Sequence, residues 1–226
     1  MKITSINSSS EGCCYIIESG GQQLIIECGI PFKKITKALN FDFSRLVGCL
    51  ISHEHTDHCL AIQQIDRQMS ISIYGPPGLN KDLPLYRYSA IDAGSLCHCG
   101  DFRIMPTTME HDVLCFGYMI QAGPDTLFYA TDTASVNYQV AGLTHLMIEA
   151  NHSISALMKS GANKTRIARS ANNHLSIDQA VEFAVRHKET LQEIHLLHLS
   201  DEHSDEKLFK KMMQEAVGVP VYVAEK

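Results

Sequence analysis

The segment His53-Glu54-His55-Thr56-Asp57-His58 constrains this chain more than any other. It packs three imidazoles and the Asp57 carboxylate into six residues, one residue behind the apolar run Leu46-Val47-Gly48-Cys49-Leu50-Ile51. Such a run marks a strand covered on both faces, which puts the segment at that strand's C-terminal end. Side chains alternate along a strand, so His53 and His55 can point the same way toward one cation. Asp57 and His58 follow where the chain turns, and can reach a second cation beside the first. Nitrogen donors mixed with oxygen suit zinc, manganese or iron better than a thiolate-only site would. Few other needs would gather four such groups at one strand end.

Strand signals precede the segment at Lys2–Ile6, Cys14–Glu18 and Gln23–Cys28, with a short amphipathic piece at Phe32–Leu39. After it come a helix over Leu60–Met69 and a strand over Ser70–Tyr74, stopped by Gly75-Pro76-Pro77-Gly78. The middle reads as strands at Phe102–Pro106, Phe116–Gln121, Thr126–Ala130 and Leu143–Glu149, with a short helix around Ser135–Val140. Ser176 and Gln179 form a capping box for a helix whose apolar face is Ile177, Ala180, Val181, Ala184 and Val185. A strand Glu193–Leu199, a helix Ser204–Val217 and a strand Pro220–Ala224 close the chain. No repeat or linker divides residues 1–226, which are expected to form a single domain. Two strand clusters, each followed by helices, predict an α/β protein with two mixed sheets packed face to face and helices outside.

Lys and Arg number 19 against 25 for Asp and Glu, giving a net charge of -6 and excluding a uniformly basic nucleic-acid binder. The start, MKITSINSSSEG, has one Lys and no apolar stretch, so it is not expected to be a signal peptide. No apolar run approaches the roughly 18 residues a membrane helix needs, and no membrane role is expected. The eight cysteines lie in apolar, strand-like segments, which fits a reduced, cytoplasmic chain. Cys28, Cys49 and Cys115 read as small core residues, and Cys59 as packing beside the candidate ligands. Cys97-His98-Cys99 sets its donors too close together for one zinc ion and has no second half. His145, His187 and His195 read as surface or satisfied core histidines, while His152 and His203 fall close to the candidate site.

The segment His53–His58 resembles the HxHxDH signature of the metallo-β-lactamase superfamily, whose fold is a four-layer αβ/βα sandwich with metals at one edge. The likeness covers nearly the whole chain in order. It implies His53, His55 and His111 around one divalent ion, and Asp57, His58 and His198 around the other, with Asp132 bridging. Asp132 and His198 each follow a strand signal, where loops converge on a site. The motif alone is shared with thioesterases and lactamases. Four further segments are similar to the WalJ (YycJ) type of nuclease, and more distantly to ribonuclease Z: Ser8–Gly12, Leu146–His152, Asn173–Ser176 and His198–Ser200. Cys13 stands where that type's start has Asn.

This resemblance implies a phosphodiesterase that attacks phosphorus with a hydroxide shared by two metal ions, with Asp57 among its catalytic ligands. His174, oriented by Glu149, would neutralise or protonate the leaving oxygen. Between Ala150 and Ile177 there is no acidic residue, but the stretch carries Lys159, Lys164, Arg166 and Arg169, with Gly161 and Asn163 nearby. That basic strip, with Ser9, is the candidate for holding phosphates. The expected partner is a DNA or RNA strand, met at a short or single-stranded end; a cyclic nucleotide or other small phosphodiester is the alternative. Thioester or lactam hydrolysis would need neither His174 with Glu149 nor the basic strip. Self-association into a homo-oligomer stays open.

Overall fold

The structure, a computed structural model, describes residues 1–81, 83–160 and 164–226, with the side chains of Lys164 and Arg166 left out. Its first half builds a six-stranded sheet in chain order from β1 (Lys2–Ser9), β2 (Gly12–Ser19), β3 (Gln22–Ile26), β4 (Leu46–Leu50), β5 (Ser72–Gly75) and β6 (Tyr88–Ala90). On this sheet lie α1 (Phe32–Ala38), α2 (Thr56–Cys59) and α3 (Ile62–Gln68). The second half builds a seven-stranded sheet from β7 (Cys97–Cys99), β8 (Phe102–Met109), β9 (Cys115–Ala122), β10 (Asp125–Ala130), β11 (His145–Glu149), β12 (Glu193–Leu197) and β13 (Val221–Val223). Four helices belong to this half: α4 (Ile154–Lys159), α5 (Lys164–Asn173), α6 (Ile177–Arg186) and α7 (Glu206–Val217).

Three buried clusters explain the layering. Tyr15, Ile17 and Leu24 of the first sheet meet Phe102, Tyr118 and Tyr129 of the second between the sheets. The outer face of the first sheet is closed by Ile35, Ile62 and Ile65, and that of the second by Phe183, Phe209 and Met213. Period-two alternation sends Tyr129 inward and Phe128 outward from the same strand, so strands covered on both faces read as continuous apolar runs. The result is the four-layer αβ/βα sandwich expected from the sequence. Phe128 stacks on Phe183 at 5.4 Å, which anchors α6 to β10.

Two local expectations are corrected. Ser135–Val140 is irregular rather than helical. Its backbone is tied from outside, by the Arg186 guanidinium donating to the Val136 carbonyl and by the Val140 N–H donating to His187 Nε2. In α6, Phe183 is buried and Val185 is exposed, so the apolar stripe runs through Ile177, Ala180, Phe183 and Ala184. The capping box has both of its hydrogen bonds.

Register aligns the site. β10, β11 and β12 are parallel, with Ala130 opposite Ile148 and Glu149 opposite Leu197, so their C-terminal ends are level. β3 and β4 are also parallel and end at the same edge. There Gly29 lets two loops touch: a Cβ on it would lie 1.6 Å from the Asp57 carbonyl oxygen and 2.6 Å from the His58 nitrogen. Gly29→Ala is expected to cost about 3 kcal/mol or more, read as a lowered urea midpoint, because backbone rather than a flexible side chain would have to move.

Candidate metal centre

The strand-end loops bring together all seven side chains that the sequence nominates as ligands. The nitrogens of His53, His55 and His111 and an oxygen of Asp132 lie within 4.8 Å of one another, as do the donor atoms of Asp57, His58, Asp132 and His198. Asp132 belongs to both groups. Its Oδ2 is 3.1 Å from His58 Nε2 and 3.6 Å from His53 Nε2, and its Oδ1 is 3.6 Å from His198 Nδ1. His53 Nε2 faces His55 Nδ1 at 2.9 Å, and His55 Nδ1 faces His111 Nε2 at 3.4 Å. Three ring nitrogens converging this closely hold more lone pairs than protons can satisfy. In addition, His58 Nε2 and His198 Nε2 are buried without a hydrogen-bond partner. A native fold rarely orphans buried polar atoms, so this donor set fits divalent cations.

Electrostatics prepares the donors. Burial, reinforced by His58, pushes His53 well below the usual histidine range, and burial lowers His111 too, which keeps both imidazoles neutral. Burial would raise Asp132, but His198, His58 and His53 outweigh it and hold the carboxyl well below the carboxylate range.

Glu149 stands beside this cluster, fully buried. Its Oε1 accepts from His174 Nδ1 at 2.6 Å and lies 3.2 Å from His198 Nδ1, while Oε2 accepts from the backbone N–H groups of Thr133 at 3.2 Å and Leu175 at 3.1 Å. Burial opposes a charge on His174, but Glu149 overcomes it and pushes the imidazole up to about 9. The His174 ring stacks on His198 at 5.4 Å. His174 and His198 line a cleft of about 310 Å³, together with Ser10, Asn151, Ser200 and His203.

A family model described as the β-lactamase superfamily domain matches residues 31–198. The chain belongs to the β-lactamase superfamily. The chain is 26% identical, over 92% of its length and 84% of the relative's, to the exodeoxyribonuclease WalJ of Streptococcus pneumoniae. It is 24% identical to ribonuclease Z of Treponema denticola, over 47% of this chain and 41% of that one. Among solved structures, the metallo-β-lactamase-fold protein YhfI of Bacillus subtilis superposes with a TM-score of 0.75 at 21% identity, covering 99% of this chain and 96% of that one. The chain is a metal-dependent hydrolase of this superfamily.

Around this β-lactamase-superfamily centre, the other nominated residues fall unevenly. Arg169 is exposed on α5, with Nη2 4.0 Å from Asp112 Oδ2 beside His111, so it stands at the rim. Lys159 is exposed at the end of α4. The side chains of Lys164 and Arg166, and Gly161 and Asn163, lie outside the described residues. Ser9 ends β1, where its hydroxyl accepts from Asn7 Nδ2 and from the Glu11 N–H. It is Ser10 that lines the cleft. His98 and Cys99 alternate on β7, exposed and buried, so Cys97-His98-Cys99 does not converge. His187 is a satisfied core histidine, with Nδ1 on the Phe183 carbonyl; His145 and His195 are buried beside Glu193.

Sequence reading passes over Glu27. This wholly buried carboxylate accepts from the Ser52 N–H at 3.2 Å and from the Tyr129 hydroxyl at 3.0 Å, and lies 3.4 Å from His58 Nδ1. The available signal is one acid in the apolar stretch Leu24-Ile25-Ile26-Glu27-Cys28. Ser8 is equally hidden: its hydroxyl accepts from the His198 N–H at 2.9 Å and pairs with Tyr15. Glu27, Asp132 and His198, each just past a strand, all have positive φ (62°, 47° and 51°). Non-glycine residues in the left-handed region gather at functional sites when the surroundings hold them there. Among the described residues, no helix is long and apolar enough to cross a membrane.

Proposed function

We propose that this chain hydrolyses nucleic-acid phosphodiester bonds from a strand end, using two divalent cations. His53, His55 and His111 would hold one, Asp57, His58 and His198 the other, and Asp132 both. Zinc is the expected ion, and the nitrogen and oxygen donors also accept manganese or iron. When bound, such ions acidify a water into a nucleophile at neutral pH and neutralise phosphoryl charge.

The observation that carries the reading is the Glu149–His174 pair beside the cluster. Breaking a phosphodiester produces an alkoxide that needs a proton, whereas acyl substrates such as thioesters leave as stable anions. Glu149 occupies His174 Nδ1, which leaves the proton on Nε2 for the departing oxygen. Two backbone N–H groups fix the carboxylate, so the imidazole is held at both ring position and charge state. Arg169 at the rim, with Lys159, Lys164 and Arg166 along the same stretch, would draw the strand toward the cleft, which Ser10 lines and Ser9 adjoins in sequence. The strand-end and DNA preference is supported by the WalJ relative, whose name describes an exodeoxyribonuclease.

His174 titrates above its ordinary value, so it is protonated through the neutral range and loses its proton as pH rises through about 9. The rate is therefore expected to fall above that pH. Glu149→Gln should move this descending limb to lower pH and cut kcat by about 10²–10³. A limb that stays in place would remove His174 from the role of acid. The reaction class is tested by offering metal-loaded protein bis-p-nitrophenyl phosphate, a chromogenic thioester and a β-lactam. Turnover of the phosphodiester alone is expected; preference for the thioester would overturn the reading.

A further inference from the structure

Cys13 opens β2 between the sheets, fully buried. Its Sγ and ring nitrogens of His58 and His198 lie within 4.8 Å of one another, a separation that three donors around one ion would have. These residues come from three separate elements: the start of β2, α2 and the end of β12. Both of these imidazoles also carry a buried nitrogen without a hydrogen-bond partner, His58 Nε2 and His198 Nε2. The thiol lies 3.6 Å from the Ser9 carbonyl oxygen and also pairs with the Tyr15 hydroxyl. Its placement is rigid. Cys13 faces Ser8 across the β1–β2 ladder, and the Ser8 hydroxyl accepts from the His198 N–H. The Cys13 carbonyl accepts from Gly29 N at 2.9 Å, next to the loop that carries His58.

An ion held by His58 and His198 would therefore have the Cys13 sulfur within reach as a further donor. We propose that Cys13 is a thiolate ligand of the cation held by Asp57, His58 and His198. The inference rests on the two-cation reading above. It makes the two positions chemically different: one has only nitrogen and oxygen donors, while the other has a sulfur. Sulfur favours zinc over manganese, so the second position becomes a zinc position. Coordination releases the thiol proton to solvent as the sulfur–metal bond forms.

X-ray absorption at the zinc edge of the full chain, loaded with two zinc ions, tests this without reference to turnover. A sulfur shell at about 2.3 Å is expected, one sulfur averaged over the two ions, beside nitrogen and oxygen at about 2.0–2.1 Å. The cobalt-substituted chain should show a thiolate-to-cobalt charge-transfer band in the near ultraviolet. Cys13→Ser should abolish both signals and raise the zinc Kd of that position about 100-fold, while changing the manganese Kd less than about threefold. Cys115→Ala, which removes the thiol nearest His53, should keep the band. The wild-type spectrum decides even if Cys13→Ser fails to fold. Two bound zinc ions with no sulfur shell, or a shell that survives Cys13→Ser, would overturn the ligand and leave the proposed function standing. Failure to take up metal at all would overturn both.

Discussion

Asp132→Asn is expected to lower kcat/KM on any phosphodiester substrate by at least about 10³-fold, since losing one preorganised electrostatic partner already costs about 10²–10³. The reason lies in its position. Asp132 is the one side chain common to both donor groups, with its two oxygens turned toward His53 and His58 on one side and His198 on the other. Asparagine keeps the volume but offers one acceptor and turns an NH₂ toward imidazoles. The folded state should survive, because the neighbouring ladder of β10 does not depend on this side chain. Metal content per chain, measured after gel filtration, should fall toward one or none. A variant that keeps two metal ions and wild-type rates would remove Asp132 from the centre.

Glu27→Ala is expected to destabilise the chain by about 3–5 kcal/mol, the range for removing one partner of a buried charged network. The Ser52 N–H and the Tyr129 hydroxyl would be left without an acceptor inside the core, and His58 would lose the carboxylate behind its Nδ1. Glu27→Gln keeps an acceptor and should cost less. It should nevertheless weaken metal binding, because a neutral amide behind His58 Nδ1 orients the ring and raises its basicity toward an ion less than a carboxylate does. Guanidinium titration reads the first effect and a competing chelator the second. A stability loss below about 1 kcal/mol in Glu27→Ala would show that the carboxylate is incidental.

The residues that sequence makes legible are those whose chemistry is local. His53 to His58 announce themselves because four donors follow one apolar run, and Ser176 with Gln179 because a cap is a three-residue device. The sandwich is legible because strands covered on both faces leave long apolar runs such as Leu46–Ile51. Glu27 is not, since its partners Ser52 and Tyr129 are 25 and 102 residues away and nothing near it in sequence requires an acid. The left-handed backbones at Glu27, Asp132 and His198 are equally hidden: each is imposed by loops that meet only in the folded state. β6 and β7 escape notice because three residues are too few to display a period. Ser135–Val140 misleads because Val136 and Val140 are buried at helical spacing, although Arg186 and His187 hold their backbone in an irregular course. Cys13 shows in sequence only as a departure from the Asn of the WalJ-type start, and the fold alone places it beside His58 and His198.

As proposed, the His/Asp centre and the Glu149–His174 pair would together cut nucleic-acid strands. End-labelled single-stranded DNA and RNA, incubated with zinc- or manganese-loaded protein beside Asp132→Asn and chelated controls, test it most directly. Cyclic nucleotides and a thioester belong in the same panel. Metal-dependent shortening from one end of the strand is expected, lost in Asp132→Asn. Strands that stay intact while the same preparation turns over a thioester would contradict it.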